Sequence, residues 1–280
     1  MNKCFSSLGL TAATLLFLTG CMENAALLNL KKDGSGTLTY RIYISSGIMQ
    51  MFHGIATGMG TDGGNTGSVD PLESLKADME DKFGDAATLV KTKEIANEQG
   101  WEGIEAIYSF DDVNKLNLAG MGDEIDSGDG GDQGMGKMGT PYRFSFTKGD
   151  TATLKIIPIT ADPEAAKNAA EDLSGEMAGM GMEGMGDLGL AMMKPMMKGM
   201  RITLLLSVDG EIVETNSSFK SEKHPNVITL MDLRMDQLLE HPQAMEIMKA
   251  GADGADKLAA LNLPGIKIEN PQKEITVSFK

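Results

Sequence analysis

The chain has 280 residues and a formal net charge of −15 at pH 7, with 40 acidic against 25 basic side chains. That length allows one large domain or two small ones. The acidic surplus argues against a nucleic-acid partner, whose phosphates would be repelled, and against electrostatic attachment to anionic lipid.

The N-terminal segment 1–20 has the composition of a secretory signal peptide. Lys3 supplies a positive start, and the run 5–18 is mostly apolar or small. This run is too short for a membrane span, which needs about 20 apolar residues. It leads into a short motif that resembles a bacterial lipobox, Leu18-Thr19-Gly20-Cys21. The alternative is an ordinary secretory signal that happens to end near a cysteine.

The lipobox resemblance implies that the chain is cleaved between Gly20 and Cys21. The Cys21 thiol would carry a diacylglyceryl group, and its new amine would be acylated with a fatty acid such as palmitate. Because Cys4 leaves with the signal peptide and Cys21 carries lipid, no thiol remains for a disulfide, a zinc site or nucleophilic catalysis. No later stretch is long and apolar enough to cross a bilayer, so we predict membrane attachment through the acyl chains of Cys21.

Alternating apolar and polar residues predict a series of β-strands. In 37–44 the even-numbered residues are apolar and share one face, while the odd-numbered residues, including Arg41, share the other. Asp33-Gly34 predicts the turn before this strand, because glycine accepts a positive φ without steric cost. The other predicted strands are 25–30, 87–95, 101–110, 142–146, 154–158, 201–208, 211–216, 227–233 and one or two short strands within 267–279.

Helices are predicted between these strands. Asp70-Pro71 is typical of a helix start, and Leu72, Leu75 and Met79 then form one apolar stripe. Further helices are predicted at 161–173 and 237–261, and Gly- and Met-rich inserts near 54–70, 120–140 and 175–200. Strand pairs separated by helices predict an α+β fold, in which antiparallel hairpins pack against helices. We place this domain at 21–235, followed by a helical tail and terminal strands at 236–280.

With these elements placed, the segment 21–235 resembles the LppM-type bacterial lipoprotein domain. The resemblance begins with a strand directly after Cys21, and it includes the hairpin 142–157 and the strand 227–233. Its two quoted motifs are Gly100-Trp101-Glu102-Gly103-Ile104-Glu105-Ala106-Ile107-Tyr108-Ser109-Phe110 and Gly210-Glu211-Ile212-Val213-Glu214-Thr215-Asn216. The resemblance implies an α+β domain on a lipid anchor, without a catalytic motif. Lipid or glycolipid binding is a hypothesis attached to such domains.

A methionine cluster near 177–200 allows three interpretations. Its last members, Met193, Met196, Met197 and Met200, have the spacing of one helix face. Such a face packs in a core, or lines a groove that contacts lipid or a partner protein. Thioethers also select Cu(I), so these four methionines form an alternative copper site.

No combination of residues typical of catalysis is present. The sequence lacks HExxH, GxSxG and kinase-like motifs, and its three histidines are far apart. We therefore predict a non-enzymatic, cofactor-free lipoprotein of the bacterial cell envelope that binds an amphiphile or a partner protein. The alternative is a Met-rich Cu(I)-binding periplasmic protein. Met22 stands where an Asp would favour retention at the inner membrane, so we expect the outer membrane, with the domain facing the periplasm.

Overall fold

The computed structural model describes residues 22–45, 49, 71–80, 82–98, 100–118, 142–159, 199–241, 263, 265–270 and 272–280. The predicted signal peptide and the predicted helix 161–173 lie outside these residues. So do the inserts near 54–70 and 120–140, and the third insert up to residue 198.

The described elements follow the predicted strands closely. In chain order they are β1 (Met22–Leu30), β2 (Gly36–Ile44), α1 (Pro71–Glu80), β3 (Thr88–Ala96), β4 (Glu102–Phe110), β5 (Asn117–Leu118), β6 (Tyr142–Thr147), β7 (Ala152–Pro158), β8 (Met200–Val208), β9 (Ile212–Thr215), β10 (Val227–Arg234), α2 (Met235–Glu240), β11 (Lys267–Ile268) and β12 (Ile275–Phe279). Short 3₁₀ turns occupy Gly84–Ala86 and Val113–Lys115.

These strands form two sheets. The larger has seven strands in the order β11-β10-β8-β1-β2-β4-β3, and the smaller has five in the order β5-β6-β7-β12-β9. β1 lies at the centre of the larger sheet, between β2 and β8. The β1–β8 pair is parallel, whereas the other pairs of described strands are antiparallel.

The predicted α+β fold class is wrong, because the described chain is β-rich. Its two α-helices have ten and six residues, against sheets of seven and five strands. The layer that shares a core with the large sheet is mainly the second sheet, not a set of packing helices. The hairpin 142–158, which we predicted correctly, belongs to this second sheet together with β12 from the C-terminal segment.

One continuous hydrophobic cluster joins the two sheets. The large sheet contributes its inner face, which on β1 and β2 consists of the even-numbered residues from Ala26 to Ile44. The small sheet contributes Phe144, Leu154 and Phe279 among others. The alternation predicted for β2 is confirmed, since every second residue of this strand is buried.

Helix α1 covers part of the same inner face. Its Leu75 and Met79 belong to the hydrophobic cluster, as the apolar stripe predicted. The buried Tyr108 hydroxyl of β4 donates a hydrogen bond of 2.7 Å to the carbonyl oxygen of Met79. The Phe83 ring, just after the helix, meets the Tyr108 ring edge-on at a centroid distance of 4.8 Å. These contacts attach α1 to the sheet.

The turn between β1 and β2 confirms the predicted Asp33-Gly34 signal. Gly34 has φ +84°, and the Asp33 carboxylate accepts hydrogen bonds from the backbone and side chain of Ser35. Gly36 begins β2 where the strands approach closely. A Cβ at this position would collide with the carbonyl oxygen of Asn29.

The strand ends of the large sheet form two opposite boundaries, which we call the leading edge and the trailing edge. At the leading edge β1 and β8 begin, β2 and β10 end, and the turn from β3 to β4 closes. The trailing edge carries the β1–β2 turn.

Candidate functional site

A cluster of polar and charged side chains lies on the outer face of the large sheet, opposite the hydrophobic core. We call it the charged cluster, and its members are Glu23, Arg41, Glu105, Arg201, Thr203 and Asp232.

Strand register brings these residues together. On β1 and β2 the odd-numbered side chains point away from the core, because successive residues of a strand face opposite sides. Glu23 of β1 lies opposite Arg201 of β8, and Arg41 of β2 lies opposite Glu105 of β4. The cluster therefore crosses five neighbouring strands, from β10 to β4.

Two ion pairs flank the centre of the cluster. Arg201 binds the Asp232 carboxylate through two hydrogen bonds, from Nε to Oδ1 at 2.8 Å and from Nη2 to Oδ2 at 2.9 Å. Arg41 Nε donates to Glu105 Oε2 at 2.5 Å. The hydrogen bonds with Asp232 raise the pKa of Arg201 above its ordinary value, so this guanidinium stays charged.

Glu23 lies between the two pairs and is only 3% exposed. Burial raises the pKa of its carboxyl from 4.5 to about 7, against the opposing effect of Arg201 and Arg41. Its Oε1 atom accepts no hydrogen bond from any residue that the structure describes. Glu23 is thus a buried carboxyl group that changes charge near neutral pH and keeps an unused acceptor.

Thr203 supplies a second unpaired polar atom in the same place. This residue is 2% exposed, and its Oγ1 has no hydrogen-bond partner among the described residues. It lies one step diagonally from Glu23 on the neighbouring strand. Buried polar groups without a partner are rare and costly, and they commonly mark a bound water or ligand.

A small apolar patch adjoins the charged cluster on the same face. Leu27, Leu205 and Val227 are buried and form a group separate from the main core. Leu27 lies opposite Leu205, two positions beyond Ala25 and Thr203 along their strands. The outer face therefore combines unpaired polar atoms with an apolar surface.

The chemistry available in this arrangement is hydrogen bonding and charge recognition. In the part of the chain that the structure describes, no group of three or more His, Cys, Asp or Glu side chains is arranged to hold a metal ion. A hydroxyl or amine placed between Glu23 and Thr203 could donate to the carboxylate oxygen and exchange a hydrogen bond with the threonine hydroxyl.

The residues that the sequence singled out are not among the members of the charged cluster. Gly20, Cys21, Met193, Met196 and Met197 fall outside the described residues. Met200 opens β8, where it is buried in the main hydrophobic cluster on the inner face. The structure thus places this methionine away from the charged cluster.

Sequence reasoning did not find the charged cluster. The alternation in β2 put Arg41 on the polar face, but that pattern alone is typical of any solvated strand face. One local signal was available: β1 and β8 each begin with a methionine followed by a charged residue, Glu23 and Arg201. Which strands lie side by side, and hence which charges meet, follows from pairings between distant segments.

The described part of the chain is thus a β-rich domain of two sheets with a buried charged cluster on one outer face. Among the described helices none is long and apolar enough to cross a membrane. No protein family matches the chain, and no curated protein is significantly similar to it.

One similar solved structure is the folded domain of LppM from Mycobacterium tuberculosis, determined by NMR. The two chains share 10% sequence identity, and the match covers 95% of this chain and 94% of that one, with a TM-score of 0.31. A score this low does not establish a common fold.

Proposed function

We propose that this protein is a lipid-anchored, non-enzymatic protein of the bacterial cell envelope that binds an amphiphile on the outer face of its large sheet. The anchor is the diacylglyceryl group at Cys21. The polar part of the ligand hydrogen-bonds to Glu23 and Thr203, and its apolar part contacts Leu27 and Leu205.

The observation that carries this proposal is the pairing of two orphaned polar atoms with an apolar patch. Glu23 Oε1 and Thr203 Oγ1 are both buried without partners, and the patch follows directly along the same strands. An apolar ligand alone would leave both polar atoms unsatisfied, and a purely polar ligand would not use the patch. A hydroxyl-bearing headgroup with an acyl chain satisfies both surfaces.

Lipid co-purification tests the ligand. The full-length protein is extracted from membranes, and co-purifying lipids are identified by mass spectrometry. Thr203→Val removes one hydroxyl at nearly constant volume and should lower the amount of bound amphiphile about tenfold, which corresponds to the loss of one hydrogen bond of roughly 1.4 kcal/mol. Thr276→Val is the matched control, because it makes the same change at a half-buried position of β12, in the small sheet and away from the proposed site.

The two variants separate the proposal from nonspecific lipid carry-over. Equal amounts of lipid on the wild type, Thr203→Val and Thr276→Val would show that the buried hydroxyl recognises nothing. A protein that is consistently free of amphiphile, although it is folded and lipidated, would also contradict the proposal.

The anchor has its own test. Mass spectrometry of the N-terminal peptide should show Cys21 as the first residue and carry the mass of the acyl chains, and Cys21→Ser should release the protein from membranes. Fractionation of the envelope would then decide between the outer membrane, which the residue after Cys21 favours, and the inner membrane.

The described residues do not support the alternative Cu(I) site. Met200, the member of the predicted thioether set that the structure describes, packs in the hydrophobic core. Nothing in the described parts of the chain favours a Cu(I) site.

A further inference from the structure

We propose that the leading edge of the large sheet rests against the bilayer surface, in one fixed orientation, because no linker separates the anchor from the fold. This inference depends on the proposed lipidation of Cys21. It adds the surface that meets the membrane and the direction in which the domain points.

The length of the connection is the main argument. β1 begins at Met22, the residue directly after Cys21, and Met22 is already paired with Met200 of β8. Consecutive Cα atoms are about 3.8 Å apart, so the acylated residue lies immediately beside the sheet. The headgroup layer on each side of a bilayer is only about 5–8 Å thick, as the difference between total and hydrocarbon thickness shows.

The position of β1 extends this constraint to the whole edge. β1 is the central strand, with three strands on either side. A strand held in nine consecutive pairs with β8 cannot peel away to serve as a tether. The start of β8 and the end of β2 are therefore held at the same distance from the membrane as the start of β1.

The sole tryptophan of the chain lies at this edge. Trp101 stands just before β4, in the turn where Asn97 donates its backbone N–H to the Trp101 carbonyl at 3.0 Å. It is half-buried and packs against the main hydrophobic cluster, and its exposed part is suited to the membrane interface, where tryptophan rings sit at headgroup level. The domain thus contains a native fluorophore on the surface that we assign to the membrane.

The opposite end of the sheet provides the comparison. Lys32 is exposed in the β1–β2 turn, at the trailing edge. The nine residues of β1 span about 27 Å between the two edges at the usual rise of a strand. A fixed orientation therefore places the two positions at clearly different distances from the headgroups.

Fluorescence quenching tests the orientation. The lipidated full-length protein is reconstituted into phosphatidylcholine vesicles that contain a lipid with a nitroxide on its headgroup. Trp101 should be quenched several-fold more strongly than the tryptophan of the double variant Trp101→Phe/Lys32→Trp, in which the fluorophore is moved to the trailing edge.

A linker variant serves as the second arm and leaves every residue of the domain unchanged. Insertion of about eight Gly and Ser residues between Cys21 and Met22 adds roughly 16 Å of reach. The quenching of Trp101 should then fall to the level of the trailing-edge variant, while flotation with the vesicles stays complete.

The outcomes separate this inference from the proposed function. If the protein floats with the vesicles but both tryptophan positions are quenched equally, or if the linker changes nothing, the orientation is wrong and the anchor stands. If the protein does not float and carries no acyl mass, the lipidation fails and the orientation falls with it.

Discussion

Replacing Glu23 by glutamine should remove a pH-dependent weakness of the fold. The folded protein holds the proton of this carboxyl until the pH reaches about 7, whereas the unfolded chain releases it near the ordinary pKa of 4.5. Between these two values the folded state binds more protons than the unfolded state, so the free energy of unfolding falls as the pH rises. The Glu23 contribution is complete below 4.5 and is lost above 7.

The size of the effect follows from the two pKa values. Their difference corresponds to about 3 kcal/mol, since one pKa unit is worth about 1.4 kcal/mol. Glu23→Gln keeps the shape of the side chain and stays neutral. At about pH 8.5 the variant should therefore be more stable than the wild type by about 3 kcal/mol, while at about pH 4 the two should differ by less than about 0.5 kcal/mol.

Denaturant unfolding of the mature chain, with Cys21→Ser to avoid lipid, measures both free energies across this pH range. Glu102→Gln is the matched control, because Glu102 is an exposed carboxylate on β4 of the same sheet. It should change stability by less than about 0.5 kcal/mol at either pH. If Glu23→Gln and the wild type kept parallel stability profiles from pH 4 to 8.5, the buried carboxyl would not titrate as inferred, and the reasoning would be refuted.

Three further substitutions test the packing around this face and the core. Gly36→Ala should destabilise the fold by about 3 kcal/mol or more, because the new Cβ meets backbone that cannot move aside, and unchanged urea unfolding would contradict this. Tyr108→Phe should lower the free energy of unfolding by about 1 kcal/mol and speed amide exchange in α1 more than elsewhere, because the hydrogen bond to Met79 is lost. Amide exchange in α1 at the wild-type rate would show that this hydrogen bond does not hold the helix on the sheet. Arg201→Met should lower the free energy of unfolding by about 3 kcal/mol, because it leaves the Asp232 carboxylate unpaired. A double-mutant cycle with Asp232→Asn should show strong coupling between the two residues, and additive effects would show that the ion pair does not stabilise the fold.

The strands could be predicted from the sequence because their signal is local. The even-numbered apolar residues of β2 are buried as the alternation required, and the Asp33-Gly34 turn lies between β1 and β2. The start of α1 at Pro71 was equally visible, because a cap, a proline and an apolar stripe stand within ten residues.

The fold class could not be predicted in the same way. Alternation shows that one face of β2 is buried, but it does not show whether a helix or a second sheet covers that face. β12 pairs with β7 across more than a hundred residues, and this pairing builds the second sheet. No turn signal or residue spacing in the sequence predicts the pairing of β12 with β7.

The charged cluster depended on the same nonlocal information. Arg201 and Asp232 belong to strands that an intervening strand separates in sequence, and Glu23 joins them only through the parallel pairing of β1 with β8. Burial, which sets the pKa of Glu23, is a property of that assembled face.

The parallel pairing of β1 with β8 also constrains the order in which the large sheet assembles. The first described strand, β1, has one of its two neighbours at Met200–Val208, so one side of β1 stays unpaired until those residues have been synthesised. Contacts between such distant segments form slowly, because the entropy cost of closing a long loop comes before the contacts stabilise the chain. The β1–β2 hairpin can form early, but the large sheet is completed only after the segment that carries β8 has been synthesised.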